Sequence, residues 1–477
     1  MFPFSIEWSS PVTEGLFLAL HILLAGIVTI DVLLKKSDVR GALGWIGAVW
    51  LAPVLGSLLY FMFGINRVTR RALKMSRMGR RQASEPPDFE PDAQPNIVLL
   101  NNVSEQITKG ALTDGNDLAI LNNGDEAYPP MLEAIANAKH CVALCSYIFC
   151  NDASGCAFAD ALIAAHRRGV MVRVLLDGVG AGYFFPRILS RLRAAGIPAA
   201  QFLHTWTPWR MPFLNMRNHR KMLVVDGEIA FTGGMNIGSG NIAGPAGKPE
   251  VQDIHFRVTG PVVRVVMEAF ARDWTFITEE VLDQHCWWPV LEKTGTVCAR
   301  GLRSGPDGDL YKLELLLGAA LTLAKTRIRI VTPYFLPDLR LQFAIAQAGL
   351  RGVAVEIVLP QVSDQRIMDW AMRGHLRFFR HIRCKFITTP PPFDHSKLCT
   401  VDGEWALIGS SNWDARSFRL NFEFDLECLG RDFTAEIDAV IDAKIAQGCE
   451  LSPDALAQEP IWLRLRNAAA RLMMPYL

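Results

Sequence analysis

Apolar residues run almost unbroken over residues 16–34, interrupted by His21 and Asp31, and again over 42–63, where no side chain is charged at neutral pH. Each run reaches the roughly 20 residues that a helix needs to cross a bilayer. Only residues 35–41 separate them, so the pattern predicts a tight antiparallel membrane hairpin with helices over about 16–34 and 42–63. Trp45, Trp50 and Tyr60 suit interfacial positions. No basic residue precedes the first run, which argues against a cleaved signal peptide. Pro53 and Gly56 leave a kinked or re-entrant second helix open, and a hairpin buried in a soluble core is the competing reading.

The pattern then changes. Residues 84–95, rich in Pro, Glu and Asp, read as a linker. Beyond it, an apolar run at 142–149 predicts a buried strand, 157–168 a helix and 170–176 a second strand. The same order returns as a strand at 328–335, a helix at about 339–350 and a strand at 353–359. Arg-Gly-Val introduces the second strand each time, at Arg168-Gly169-Val170 and Arg351-Gly352-Val353. Strand–helix–strand spacing predicts α/β units with parallel pairing. The repetition predicts an internal duplication in which each half has its own sheet and the two meet at a shared face. The expected division is 1–66 for the membrane hairpin, 67–115 for a basic segment and linker, 116–300 for the first α/β repeat, and 301–477 for the second with an amphipathic C-terminal helix. That last helix, rich in Arg from Trp462 onward, either packs on the body or lies on a membrane.

Length and charge refine this picture. A chain of 477 residues is too long for one compact core. A net charge of +1 excludes a global attraction to nucleic acid or membrane, so any basic character is local. It is local after the second apolar run, in Arg67, Arg70, Arg71, Lys74, Arg77, Arg80 and Arg81, against Lys35, Lys36 and Arg40 in the loop. The positive-inside tendency then places the C-terminal body in the cytoplasm. Each basic residue near anionic headgroups adds about 1 kcal/mol. Ten cysteines without a Cys-x-x-Cys pair, among them Cys141, Cys145, Cys150 and Cys156, read as buried thiols in a reducing compartment.

The candidate chemistry lies in one motif used twice. His219, Lys221 and Asp226 precede Gly233-Gly234-Met235-Asn236; His395, Lys397 and Asp402 precede Gly409-Ser410-Ser411-Asn412. Asp-Gly at 226–227 and 402–403 predicts a hairpin turn. Strand alternation sets His219 with Lys221, and His395 with Lys397, on one face, and the Gly-rich turn returns Asn236 or Asn412 towards the same end. A lone His-x-Lys on a strand is usually surface decoration, and an Asp before Gly is often only a turn former; duplication of the whole set reverses that weighting. Two histidines, two lysines and two asparagines converging on one pocket suit a phosphodiester. The lysines and amides hold its oxygens, and the histidines divide nucleophilic and acid–base work, so no metal or cofactor is needed. One lysine–phosphate attraction at about 4 Å and an effective dielectric near 20 is on the order of 4 kcal/mol before desolvation. Gly178-Val179-Gly180-Ala181-Gly182 lacks the spacing of a dinucleotide fingerprint and reads as a loop. Trp206, Trp209 and Phe213 line a lipid entrance or belong to the core.

His-x-Lys-x4-Asp-x6-Gly-(Gly/Ser)-x-Asn in duplicate resembles the phospholipase D superfamily. Arg217 to Lys221, Thr232 to Asn236, Thr332 to Asp338, Arg416-Ser417-Phe418 and Asn421-Phe422-Glu423, with the N-terminal hairpin, resemble the bacterial cardiolipin synthases over essentially the whole chain. The resemblance implies two phospholipase D-like α/β repeats in one pseudo-symmetric body at the bacterial inner membrane. It implies a phosphatidyltransferase acting on phosphatidylglycerol and other phospholipids, with no nucleic-acid partner and no cofactor. One histidine, with His219 favoured, takes the phosphatidyl group, and His395 serves as acid and then base. Lys221, Lys397, Asn236 and Asn412 hold phosphate, and Asp226 and Asp402 orient neighbours or stabilise an imidazolium. The family's pattern leads one to expect Trp where Val251 stands, although Asp253 and His255 fit. A hydrolase or a transferase using another donor or acceptor, such as phosphatidylethanolamine, shares every one of these residues. A superfamily nuclease and a silent membrane scaffold are further alternatives.

Overall fold

A computed structural model describes residues 11–36, 39–64, 93–182, 184–204, 216–244, 247 and 249–474. The basic cluster from Arg67 to Arg81 and the aromatic residues Trp206, Trp209 and Phe213 lie outside the described residues. Two compact units separate: an N-terminal one containing 11–36 and 39–64, and a body containing the rest of the described chain.

In the N-terminal unit one helix, Pro11–Lys35, contains a stretch, Gly15–Lys35, that is long and apolar enough to cross a membrane. Leu16, Phe17, Leu23, Ile30 and Leu34 point outward, while Ala25, Val28 and Val32 pack with Val49 and Tyr60. Asp31 does not break the helix because Lys35 pairs with it and the Tyr60 hydroxyl donates to it at 2.8 Å. The second apolar run corrects the expectation of one helix over 42–63. It forms Val39–Leu51, then Pro53–Leu59, then a π-turn at Tyr60–Gly64. Pro53 lacks the amide that would continue the ladder, and Ala52 leaves helical geometry at φ −140°, ψ 79°. Among the described residues, one helix therefore has spanning length and the second run is broken.

The body is one sheet in which both repeats run outward from the centre in the same strand order, the second ending in an additional edge strand, Cys449–Glu450. From the centre outward, the first repeat lays down Thr113–Asn122, Ile254–Thr259, Ile229–Gly233, Met222–Val225, Cys141–Ser146, Met171–Asp177 and Ala199–Phe202. The second lays down Val297–Ser304, Asn421–Leu429, Trp405–Gly409, Leu398–Val401, Arg327–Val331, Ala354–Pro360 and Cys384–Thr389. The outer strands pair in parallel through the helices Ala153–Arg167 and Leu339–Leu350, as the strand–helix–strand spacing requires. Asp152 and Asp338 cap those helices by accepting amide hydrogens from their first turns. Each repeat buries its own apolar cluster, one around Phe158, Val172 and Leu223 and one around Leu316, Ile330 and Phe335.

Four expectations are corrected here. The halves do not have separate sheets, because Thr113–Asn122 pairs antiparallel with Val297–Ser304 and joins them. That second strand opens the second repeat and crosses the boundary expected at 300. Residues 95–108 are not linker: the helix Pro95–Thr108 buries Ile97 and Leu100 in the second repeat's core. Its Asn96 donates to Asp402 at 2.7 Å and its Ser104 to Glu427 at 2.6 Å. Finally, the strand expected at 328–335 stops at Val331, and Phe335–Leu336 turns aside to pair with Trp413–Asp414. The C-terminal helix Ile461–Leu472 packs on Arg366–Leu376 through Asn467, Ala470 and an Arg466–Trp370 stack at 4.7 Å, with Ile461, Trp462 and Leu465 left outward.

Candidate active site

Each motif is built by a short crossing strand and a hairpin. Before the first hairpin, Arg217–Asn218 leaves its own repeat and pairs in parallel with Asn421–Phe422 of the second, so the His219 amide donates to the Phe422 carbonyl at 2.9 Å. Before the second, Phe393–Asp394 pairs in parallel with Val251–Gln252 of the first, and the His395 amide donates to the Gln252 carbonyl at 2.7 Å. The residue after each acceptor is acidic. Chain continuity therefore delivers Glu423 to His219 and Asp253 to His395.

The side chains complete these pairs. His219 Nδ1 donates to Glu423 Oε2 at 2.9 Å, and His395 Nδ1 donates to Asp253 Oδ2 at 2.7 Å. An ionised carboxylate only accepts, so both rings carry hydrogen on Nδ1, which leaves the lone pair of a neutral ring on Nε2. The ring centroids are 6.4 Å apart, enough to admit one phosphate. Glu423 is further bound by the Ser410 hydroxyl at 2.6 Å and the Asn421 amide at 3.1 Å. Gly234 leaves the room Asp253 needs, since a Cβ there would meet its carboxylate at 2.3 Å.

Burial sets the protonation. It pulls His219 down to about 4 against the opposing pull of Glu423, and lowers His395 with help from Lys397. Both imidazoles are thus neutral near pH 7. Glu423 and Asp253, although buried, are held below their ordinary range by the groups they face, His219 and then Lys221 at Glu423, Lys397 and then His395 at Asp253. Lys221 is drawn down to about 7, first by burial and then, against Glu423, by Lys397. An anion arriving between the histidines would raise all of these cationic groups.

His219, His395, Asn236 and Asn412 line one cavity of about 510 Å³, together with Tyr147, Tyr334 and Val251. Asn236 Oδ1 accepts from the Ile148 amide at 3.1 Å, which leaves its NH2 as a donor for a ligand. Asn412 Oδ1 is buried with no partner among the described residues. Neither lysine lines that cavity. Lys221 Nζ donates to the His219 carbonyl at 2.7 Å and sits 5.2 Å over the Tyr147 ring, while Lys397 Nζ donates to the His395 carbonyl and lies 2.9 Å from that ring's Nδ1.

Asp226 and Asp402 are not brought to this cavity, which corrects their assignment as catalytic. They sit at the far ends of the hairpins, on the order of 15–20 Å from the histidines by strand rise. Both adopt positive φ, 51° and 53°, ahead of Gly227 and Gly403 at 68° and 69°, the turn that Asp-Gly favours. Asp226 accepts from the amides of Lys139, His140 and Cys141. Asp402 accepts from those of Lys325, Thr326 and Arg327. They orient neighbours, as one expected role has it, while Glu423 and Asp253 face the imidazoles. Sequence reasoning quoted both acids without giving either that task. Their signal was position: each directly follows a two-residue segment that pairs with the opposite motif. Arg220 was also missed. Buried, it donates to the Glu423 carbonyl at 2.9 Å and to both Asp273 oxygens at 2.6 Å. His255 is buried beside Gly233 and does not line the cavity.

Two imidazoles, each backed by a carboxylate from the other repeat and set among ammonium and amide donors, define an enzyme that works on phosphodiesters. The chain belongs to the cardiolipin synthase family with phospholipase D-like domains. The description "Cardiolipin synthase, PLD-like domain" matches residues 131–274 and 317–445, and a phospholipase D-nuclease N-terminal description matches 23–64. A cardiolipin synthase of Alkalihalophilus pseudofirmus is 30% identical over 98% of this chain and 94% of its own. Cardiolipin synthase A of Pseudomonas putida is 30% identical over 99% and 100%. The crystal structure of phosphatidylserine synthase from Haemophilus influenzae shares the fold, with a TM-score of 0.61 at 15% identity over 79% of this chain and all of that one.

Proposed function

We propose that the protein is a phosphatidyltransferase that joins two phosphatidylglycerol molecules into cardiolipin and releases glycerol. The observation that carries this reading is the pair of neutral imidazoles, 6.4 Å apart, each backed by a buried carboxylate. The donor's phosphate lies between the two Nε2 atoms and, as an anion, lifts the proton affinity of His395, whose Nε2 takes up a proton from solvent as the donor binds. His219 Nε2 attacks phosphorus and the bond to the glycerol oxygen breaks. His395 gives its Nε2 proton to that oxygen, and glycerol leaves. Glu423 offsets the positive charge that forms on the phosphorylated His219 ring. The primary hydroxyl of a second phosphatidylglycerol then gives its proton to His395 Nε2 as its oxygen bonds to phosphorus. The P–N bond breaks, and cardiolipin departs from a neutral His219. Asn236, Asn412, Lys221 and Lys397 offset the charge on the non-bridging oxygens. One diester replaces another, so the exchange needs no nucleotide.

The same reading places the apolar helix Pro11–Lys35 in the bacterial inner membrane as part of a multi-pass anchor with a cytoplasmic body, supported by the Lys/Arg excess after residue 66. A lipid surface favours a lipid alcohol over water as acceptor. The test is incubation of purified protein with labelled phosphatidylglycerol, alone and with phosphatidylethanolamine, followed by lipid mass spectrometry. Cardiolipin with glycerol is expected, and is expected to vanish in His219→Ala and His395→Ala. Phosphatidic acid alone would make the protein a hydrolase, and equal product from the alanine variants would end the enzymatic reading.

A further inference from the structure

Two arginines outside the repeated motif also line the catalytic cavity. Arg217 opens the crossing strand before His219, and Arg416 lies in the short helix Ala415–Arg419 just after Asn412. Both are half-buried, and they are close enough that Arg217 opposes the charge on Arg416 more than any carboxylate supports it. A guanidinium cannot shed its proton at physiological pH, so two of them on one cavity wall carry a standing cost that an anion would relieve.

The pair also lies at a defined remove from the reacting centre. The Tyr147 ring packs edge-on against His219 with centroids 4.9 Å apart, and Arg217 hydrogen-bonds its hydroxyl. One tyrosine ring therefore separates the guanidinium from the imidazole. The transferase reading, on which this inference rests, calls for a second phosphate at about that remove. An attacking phosphatidylglycerol carries its own phosphate across a three-carbon glycerol, six bonds and roughly 7 Å from the phosphorus it attacks.

We propose that Arg217 and Arg416 form a second phosphate subsite, which holds the phosphodiester of the acceptor lipid and so selects an anionic lipid alcohol over a neutral one.

The experiment sets two acceptors in competition on one donor. Full-length protein in mixed micelles of phosphatidylglycerol is given excess isotope-labelled glycerol. Cardiolipin reports transfer to the anionic alcohol, and label entering phosphatidylglycerol reports transfer to the neutral one. In Arg217→Gln and Arg416→Gln the ratio of cardiolipin to exchanged label should fall about tenfold, the loss of one or two charge-assisted hydrogen bonds. Arg416→Lys, which retains the charge, should recover most of the ratio. A ratio unchanged in the glutamine variants, including one where both products fall together, overturns the subsite. So does a lysine variant as impaired as the glutamine one. Parent protein that yields neither cardiolipin nor exchange would instead remove the transferase reading itself.

Discussion

Replacing Glu423 by Gln removes one charge and almost no volume. The carboxylate is fully buried, and its Oε2 lies 2.9 Å from His219 Nδ1. With the delocalised charges centred about 4 Å apart and an effective dielectric near 20, its attraction for an imidazolium is about 4 kcal/mol. That attraction is absent while His219 is neutral and fully present once the ring bonds to phosphorus, so it lowers the barrier rather than tightening binding. Glu423→Gln should therefore reduce kcat about 10³-fold. The amide keeps an acceptor for Asn421 or Ser410, so thermal unfolding should shift little. The assay is cardiolipin formation in micelles, run beside Asp253→Asn and repeated with a phosphatidyl ester of p-nitrophenol. That leaving group needs no proton. Asp253→Asn, which lowers the proton affinity of His395 and so leaves less of it protonated to act as the acid, should regain most of its first-step rate, and Glu423→Gln should not. Activity of Glu423→Gln within tenfold of the parent, or equal rescue of both variants, would refute the assigned division of labour.

Asp402→Ala should destabilise the fold by about 3 kcal/mol or more, at about 1 kcal/mol for each hydrogen bond lost. Asp402 accepts from three amides, Thr326 Oγ1 and Asn96. Asp226→Ala should cost less, with kcat nearly kept in both wherever the protein stays folded, as thermal melts and rates together would show. In the proposed mechanism a protonated Lys221 offsets phosphate charge, and this lysine is drawn down to about 7. The neutral fraction grows as pH rises through 7, so KM should climb, towards tenfold per unit in the limit, and Lys221→Arg should flatten that rise in a pH–KM profile. Arg220→Met leaves Asp273 buried without its partner and frees the Glu423 carbonyl. It should lower kcat and the melting temperature together, with a stability loss of roughly 3–5 kcal/mol.

The histidines, lysines and asparagines were legible because a strand, an Asp-Gly turn and a second strand are local devices, and a local device repeated twice stands out. The helix Leu339–Leu350 was legible for the same reason, its period and its Asp338 cap lying within one stretch. Glu423 and Asp253 were not, because their task depends on pairing between segments far apart in the chain. Pro95–Thr108 was obscured by the Pro- and acid-rich residues before it; its amphipathic face acquires meaning only against the second repeat. Asp226 and Asp402 left the imidazolium-stabilising role open because each acid stands at constant spacing from a histidine, whereas the hairpin carries it to the opposite end.

The reciprocal loan of carboxylates has a consequence for ancestry. His219 is served by an acid of the second repeat and His395 by an acid of the first. Exchange of this kind, in which each half gives what it receives, is the pattern of an interface about a two-fold axis between identical partners. A progenitor with one repeat would have had an unsupported histidine until it met a copy of itself. Fusing two such genes would have turned an encounter that depends on concentration into one that the chain guarantees. From then on either acid could drift from the other, and one position now holds Asp and its counterpart Glu.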